Sequence, residues 1–204
     1  MVGNDGLADG LASAWREHWP YFKLSVAIFF VGSIIGALLV MMEVDLLAII
    51  GIDDLGEAFP EEITTLTILI NNTVVFVLAL VGVFSFGLLT AVILLFNGVL
   101  VGYVVLPAAE EVGIGFVAVA ILPHGILELP AFFVASAVAF RLIHRFILRI
   151  RDRRDRMLDP GDLRRMALLL AVAWVVLAVA AAVEAIVTVW LIEALYPELA
   201  PDAG

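Results

Sequence analysis

The stretch YFKLSVAIFFVGSIIGALLVMM, residues 21–42, decides the architecture. Its only charge is Lys23, near one edge. A bilayer crossing needs about 20 apolar residues at a rise of about 1.5 Å each, and this run supplies them. The whole chain repeats the message: of 204 residues, 64% are hydrophobic and 16% charged, with a mean hydropathy of +1.13. A soluble domain averages about 45–50% apolar and roughly 25% charged. A chain of this size cannot hide so much apolar surface in one water-soluble core. A soluble enzyme, a disordered chain and a nucleic-acid-binding domain are excluded.

On the N-terminal side, Leu7, Leu11, Trp15 and Trp19 recur every fourth residue in a polar background. That spacing predicts an amphipathic interfacial segment over residues 1–20. The run at 21–42 lacks a small-residue exit, so it reads as a span and not as a cleaved signal. On the other side, Glu43–Glu62 carries seven carboxylates and no base. It reads as an aqueous loop whose apolar patch, Leu46–Ile52, dips toward the interface. A second span is expected at about 73–96, with Asn71-Asn72 marking a change near the membrane surface and Asn97-Gly98 a turn. A short third span, 98–110, ends at Pro107 and Glu110-Glu111. The fourth, 113–140, is interrupted by Pro123, His124, Glu128 and Pro130, and the last covers 166–193. The expected fold is all-α: a polytopic transmembrane helical bundle of five spans, with a short third and a broken fourth. Residues 21–196 form one domain, and 197–204 a C-terminal tail.

Charge orients this arrangement. The formal net charge is −10, yet nine of the eleven Lys and Arg residues fall between Arg141 and Arg165. Basic residues favour the cytoplasmic side. Five crossings then put the N-terminus and segment 141–165 in the cytoplasm, and the acidic loops and C-terminus outside, in a multi-pass protein of the cell membrane. Reading Val99–Leu122 as a re-entrant hairpin would put the arginines outside. Leu142, Ile143, Phe146, Ile147 and Ile150 continue a helical stripe between them, suited to anionic lipid headgroups at about 1 kcal/mol per arginine. Asp152, Asp155, Asp159 and Asp162 dilute this charge, so nucleic acid is not an expected partner. Membrane or cytoplasmic proteins, or a second copy of the chain, stay open. Asp159-Pro160 looks like a cap followed by proline at the first position of the last helix. There is no cysteine, hence no disulfide, and ten Arg to one Lys with a pI near 4.6 suits high salt.

Gly32/Gly36, Gly98/Gly102 and Ala131, Ala135, Ala139 are small residues four apart. Such spacing lets helix backbones approach where lipid offers no hydrophobic drive. The residues that lipid should reject stand out against them. A charge at bilayer centre costs about 2.5–3.5 kcal/mol even on the lenient insertion scale. Glu128 and Glu184 both sit deep. His124 precedes Glu128 by four residues and Thr188 follows Glu184 by four, so each pair shares a helix face. Pro123 and Pro130 bracket the first pair and free the carbonyls of Val119 and Ile126. Backbone freed at that depth must be satisfied by protein or a water-filled cavity. His124, Glu128, Glu184 and Thr188 are the candidate intramembrane binding residues. The alternative reading is that these pairs satisfy themselves structurally. Asn71, Asn72, Asn97, Pro123, Gly125 and Pro130 are read as structural. No cofactor or metal is expected, since a zinc site could draw only on His124, Glu128 and Glu184.

The residues carrying these features resemble a known family. Asn71-Asn72, Gly82, Gly87, Asn97-Gly98 with Gly102, the block Leu122-Pro123-His124-Gly125-Ile126-Leu127-Glu128-Leu129-Pro130-Ala131, and Ala182–Thr188 with its acidic-then-threonine pattern are similar to the stage II sporulation protein M family. The likeness runs from about Tyr21 to Tyr196. It implies a multispanning membrane protein without known catalytic activity. In spore formers it also implies action during engulfment, in a complex with peptidoglycan-degrading partners. It brings His124, Glu128 and Glu184 forward without assigning them chemistry.

The sequence points first to a non-enzymatic membrane scaffold or assembly factor. The alternative is a small transporter or channel with an ion or proton site at His124, Glu128 and Glu184. A third class, intramembrane protease, fails on pattern. Glu110-Glu111 is similar to the paired glutamate of membrane-embedded prenyl-protein proteases, but Gly115 stands where an arginine is needed, and the second His with Asn is missing.

Overall fold

The computed structural model describes residues 7–51, 64–152 and 158–199. Helices account for almost all of them, because backbone in lipid must bond within its own segment. They are α1 (Leu7–Met41), the short α2 (Leu46–Ile50), α3 (Thr65–Val81), α4 (Leu88–Glu111), α5 (Ile114–Ile150), α6 (Pro160–Ala182) and α7 (Val189–Leu195). A π-helical turn, Val183–Thr188, joins α6 to α7 without a break. Five of the resulting rods are long and apolar enough to cross a membrane. The protein is an all-α polytopic bundle.

The crossings alternate. The α3–α4 turn and the Arg-rich end of α5 lie together at one end of the bundle, where Phe86 meets Phe146. At the other end, the Tyr103 hydroxyl donates to the Val44 carbonyl at 3.3 Å and accepts from the Leu46 amide at 3.2 Å. There, too, Phe116 packs edge-on against Tyr196. Helix α5 is the central pillar, with Ala131, Ala135 and Ala139 all closed off against its neighbours. Phe76 and Ala79 of α3 and Leu169, Ala173 and Leu177 of α6 complete that core. The outer faces stay apolar and exposed, as at Phe30, Ile34, Ile70, Val175 and Trp190, which is what lipid contact requires.

Several expected boundaries move. The turn between the second and third spans is not at Asn97-Gly98. It is a 3₁₀ turn, Gly82–Ser85, followed by Phe86 and Gly87, both left-handed at φ 53° and 84°. The Ser85 hydroxyl donates to the Gly82 carbonyl and accepts from the Leu89 amide, both at 2.9 Å. Asn97 stays helical because its side chain donates to the Ile93 carbonyl of its own helix at 2.8 Å. Gly98 is consumed by packing. Helix α4 therefore has 24 residues, and the third span is full length. The fourth is also unbroken: α5 runs straight through Pro123 and Pro130. Asn71-Asn72 lies inside α3, which starts at a capping box between Thr64 and Thr67.

The interfacial segment expected over 1–20 is, from Leu7 onward, the start of α1. It packs on the bundle because Ala14 and His18 are buried and Glu17 is ion-paired to Arg141. The loop patch forms only α2, and residues 52–63 of the acidic loop lie outside the described residues. Parts of the other expected segments, residues 1–6, 153–157 and 200–204, also lie outside them.

The most extensive helix pair is α1 with α4. Gly32 and Gly36 of α1 face Gly98 and Gly102 of α4. A side-chain carbon at Gly36 would overlap the Val99 carbonyl, and one at Gly102 the Ser33 carbonyl. The two predicted small-residue pairs are the two sides of one seam.

Candidate intramembrane ion site

Helix α5 carries His124 and Glu128 one turn apart. Opposite them, the π-helical turn carries Glu184 and Thr188. A π turn widens the helix by one residue, and such insertions recur at functional sites. One potential ligand atom from each of His124, Glu128 and Glu184 lies within 4.8 Å of the others. All three side chains are half-buried. His124 Nδ1 stands 3.4 Å from the buried Thr188 hydroxyl, at the long end of hydrogen bonding. With Nδ1 at Thr188, Nε2 is the ring's other donor or acceptor.

A fifth residue joins from α3. Asn72 is only 7% exposed and directs its side-chain amide at the Glu128 carboxylate. Its Nδ2 completes no hydrogen bond. On the other flank, Glu128 reaches a cavity of about 90 Å³ shared with Asn97, Ser136, Phe29, Leu94 and Phe133. The Ser136 hydroxyl is fully buried and without a partner. Most of its lining is apolar, and Asn97, Glu128 and Ser136 are its polar groups. Glu128 thus borders both a titratable cluster and a small, mostly apolar chamber.

The structure brings together His124, Glu128, Glu184 and Thr188. Asn72 belongs with them, whereas its neighbour Asn71 is exposed. Asn97 lines the chamber but spends its amide on α4. Pro123 and Pro130 flank the pair on a continuous helix. At Gly125 a Cβ would meet only Ile121, at an ordinary 3.5 Å, so packing does not demand glycine there.

Sequence reading missed a second polar cluster, at the arginine end. Arg141 and Arg145 of α5 are buried, not spread over headgroups. Arg141 is ion-paired to Glu17 of α1 and Arg145 to Asp162 of α6. Arg165 closes the network, 2.7 Å from Asp162 and 3.6 Å from Glu17. Tyr21 is hydrogen-bonded to His144 beside it. Arginines four apart on the apolar stripe of α5 were the available signal, since that spacing points both to one side.

The family model described as stage II sporulation protein M matches residues 25–189. The chain belongs to the stage II sporulation protein M family. Every member of the α5–π cluster falls inside the matched region, whereas Glu17 falls outside it. This family member is similar to a protein of Methanocaldococcus jannaschii described as uncharacterized. The two are 28% identical over 168 residues, covering 81% of this chain and 92% of the relative. No solved structure matches.

Proposed function

We propose that this stage II sporulation protein M family member is a non-enzymatic carrier or channel for a cation or proton, with His124, Glu128 and Glu184 as its site. One observation carries the reading: three titratable side chains from two transmembrane rods converge within 4.8 Å at membrane depth. Ionisable groups there are expensive and characteristically mark ion paths or proton relays. The Glu128 chamber supports it by giving the carboxylate a second face. Positive-inside bias places the arginine end in the cytoplasm and the α7 end outside the cell membrane. Exposed Arg149 and Arg151 are then in position for anionic headgroups.

The second reading, a membrane scaffold or assembly factor, is favoured by the glycine seam and the buried arginine network, which suit a rigid bundle. Liposomes with a trapped pH dye and imposed ion gradients separate the two. Flux is expected from the wild type and at least tenfold less from Glu128→Gln and Glu184→Gln. No flux from any form, with all three folded in detergent, overturns the carrier reading and leaves the scaffold.

A further inference from the structure

We infer that the ion held by His124, Glu128 and Glu184 is a divalent first-row transition metal, zinc foremost, with Asn72 and Thr188 orienting the ligands. The inference rests on the carrier reading for its role in transport, but the binding site stands on geometry of its own.

The donor set selects the ion. It offers one imidazole nitrogen and two carboxylates, which suits zinc and its neighbours. Calcium takes six to eight oxygens and magnesium keeps several waters in a near-ideal octahedron. An apolar surround with three protein ligands provides neither. Soft copper(I) is disfavoured too, because no cysteine is present in the chain. Zinc bonds of about 2.0–2.2 Å place neighbouring ligand atoms about 3.3–3.6 Å apart. The three ligand atoms here lie within 4.8 Å, so side-chain rotations of about 1 Å close the shell. Three protein ligands leave the fourth position open, as in exchangeable sites.

Charge balance is compatible with this assignment. The two carboxylates converge with the His124 imidazole at one point. A bound divalent cation compensates both carboxylates at once, the part that two protons play without it. The orienting residues are an independent observation. Metal-bound histidine typically fixes its other ring nitrogen to a neighbour, and ligating carboxylates are hydrogen-bonded in turn. Thr188 stands at His124 Nδ1 and leaves Nε2 to the metal. Asn72 is more than nine-tenths buried, aimed at Glu128, and has no completed hydrogen bond at Nδ2. A bound metal drawing Glu128 into its shell gives that amide a fixed acceptor.

The test uses the full chain in detergent, stripped with a chelator and titrated with zinc chloride or cobalt chloride. Calorimetry should show one zinc per chain. Cobalt(II) should give visible absorption bands of tetrahedral or five-coordinate type. His124→Ala and Glu184→Gln should each weaken zinc binding at least 100-fold. Asn72→Ala and Thr188→Val should weaken it 10–100-fold, the range for outer-shell partners. Absence of saturable zinc binding and of cobalt bands in the folded wild type overturns the inference, whatever the variants do. Undiminished binding in folded His124→Ala and Glu184→Gln also overturns it. Proton flux without metal binding removes the metal and keeps the carrier. Metal binding without flux of zinc or protons keeps the metal and removes the carrier.

Discussion

Arg145 on α5 and Asp162 on α6 form an ion pair with both side chains nearly closed off, 10% and 3% exposed. Around it, Glu17 and Arg141 tie the N-terminal turns of α1 to the same point. Helices α1, α5 and α6 are thus joined by charge at one end of the bundle.

Removing one partner of a buried pair leaves an uncompensated charge, at a cost of about 3–5 kcal/mol. Asp162→Asn should therefore destabilise the protein by roughly that amount, read as loss of thermal stability in detergent. Arg145→Met combined with Asp162→Leu should cost less than Asp162→Asn alone. A double variant as unstable as the single one would show that charge is not what holds this end together.

The glycine seam makes a steric prediction. Gly36→Ala and Gly102→Ala put carbon into backbone that cannot yield without separating α1 from α4. Each should cost about 1–3 kcal/mol or more, the range for overpacking. Gly10→Ala, with nothing within 4 Å of the new atom, should be neutral or gain up to about 1 kcal/mol from helix propensity. Unfolding of the three variants by temperature or denaturant ranks them.

Thr90 offers a smaller and cleaner loss. Its buried hydroxyl donates to the Ala79 carbonyl at 2.8 Å, fastening α4 to α3 below their turn. Thr90→Val keeps the shape and removes the bond, for an expected loss of about 1 kcal/mol. Thermal melts of the purified protein measure it.

The alternating crossings predict sidedness. The chain has no cysteine, so Gly51→Cys and Asp152→Cys create single labels at opposite ends of the bundle. An impermeant thiol reagent applied to intact cells should modify Gly51→Cys and spare Asp152→Cys until the membrane is opened. Equal labelling of both in sealed cells would contradict five alternating spans.

The number of spans is legible in the sequence because hydropathy averaged over twenty residues survives local errors. Boundaries were misread where one local signal served another purpose. Asn97-Gly98 has turn chemistry, but Gly98 is needed for backbone approach and Asn97 bonds within α4. The real turn hides in an apolar stretch, where Phe86 takes a left-handed conformation that its residue type does not announce. At the site, spacing puts His124 with Glu128 and Glu184 with Thr188 on shared helix faces. It could not say that the pairs face each other, or that Asn72 and not Asn71 turns inward, because both depend on helix rotation. Likewise, nothing local to Arg141 reveals an acid 124 residues away.

The wide turn at Val183–Thr188 has a mechanical consequence. It accommodates one surplus residue, and a residue is worth about 100° of rotation in an α-helix. Deleting it would restore regular winding and swing either the Leu177 face or the Glu184 carboxylate away from α5. Greasy contacts below and acidic chemistry above can share one rod only because this joint lets each half keep its own bearing.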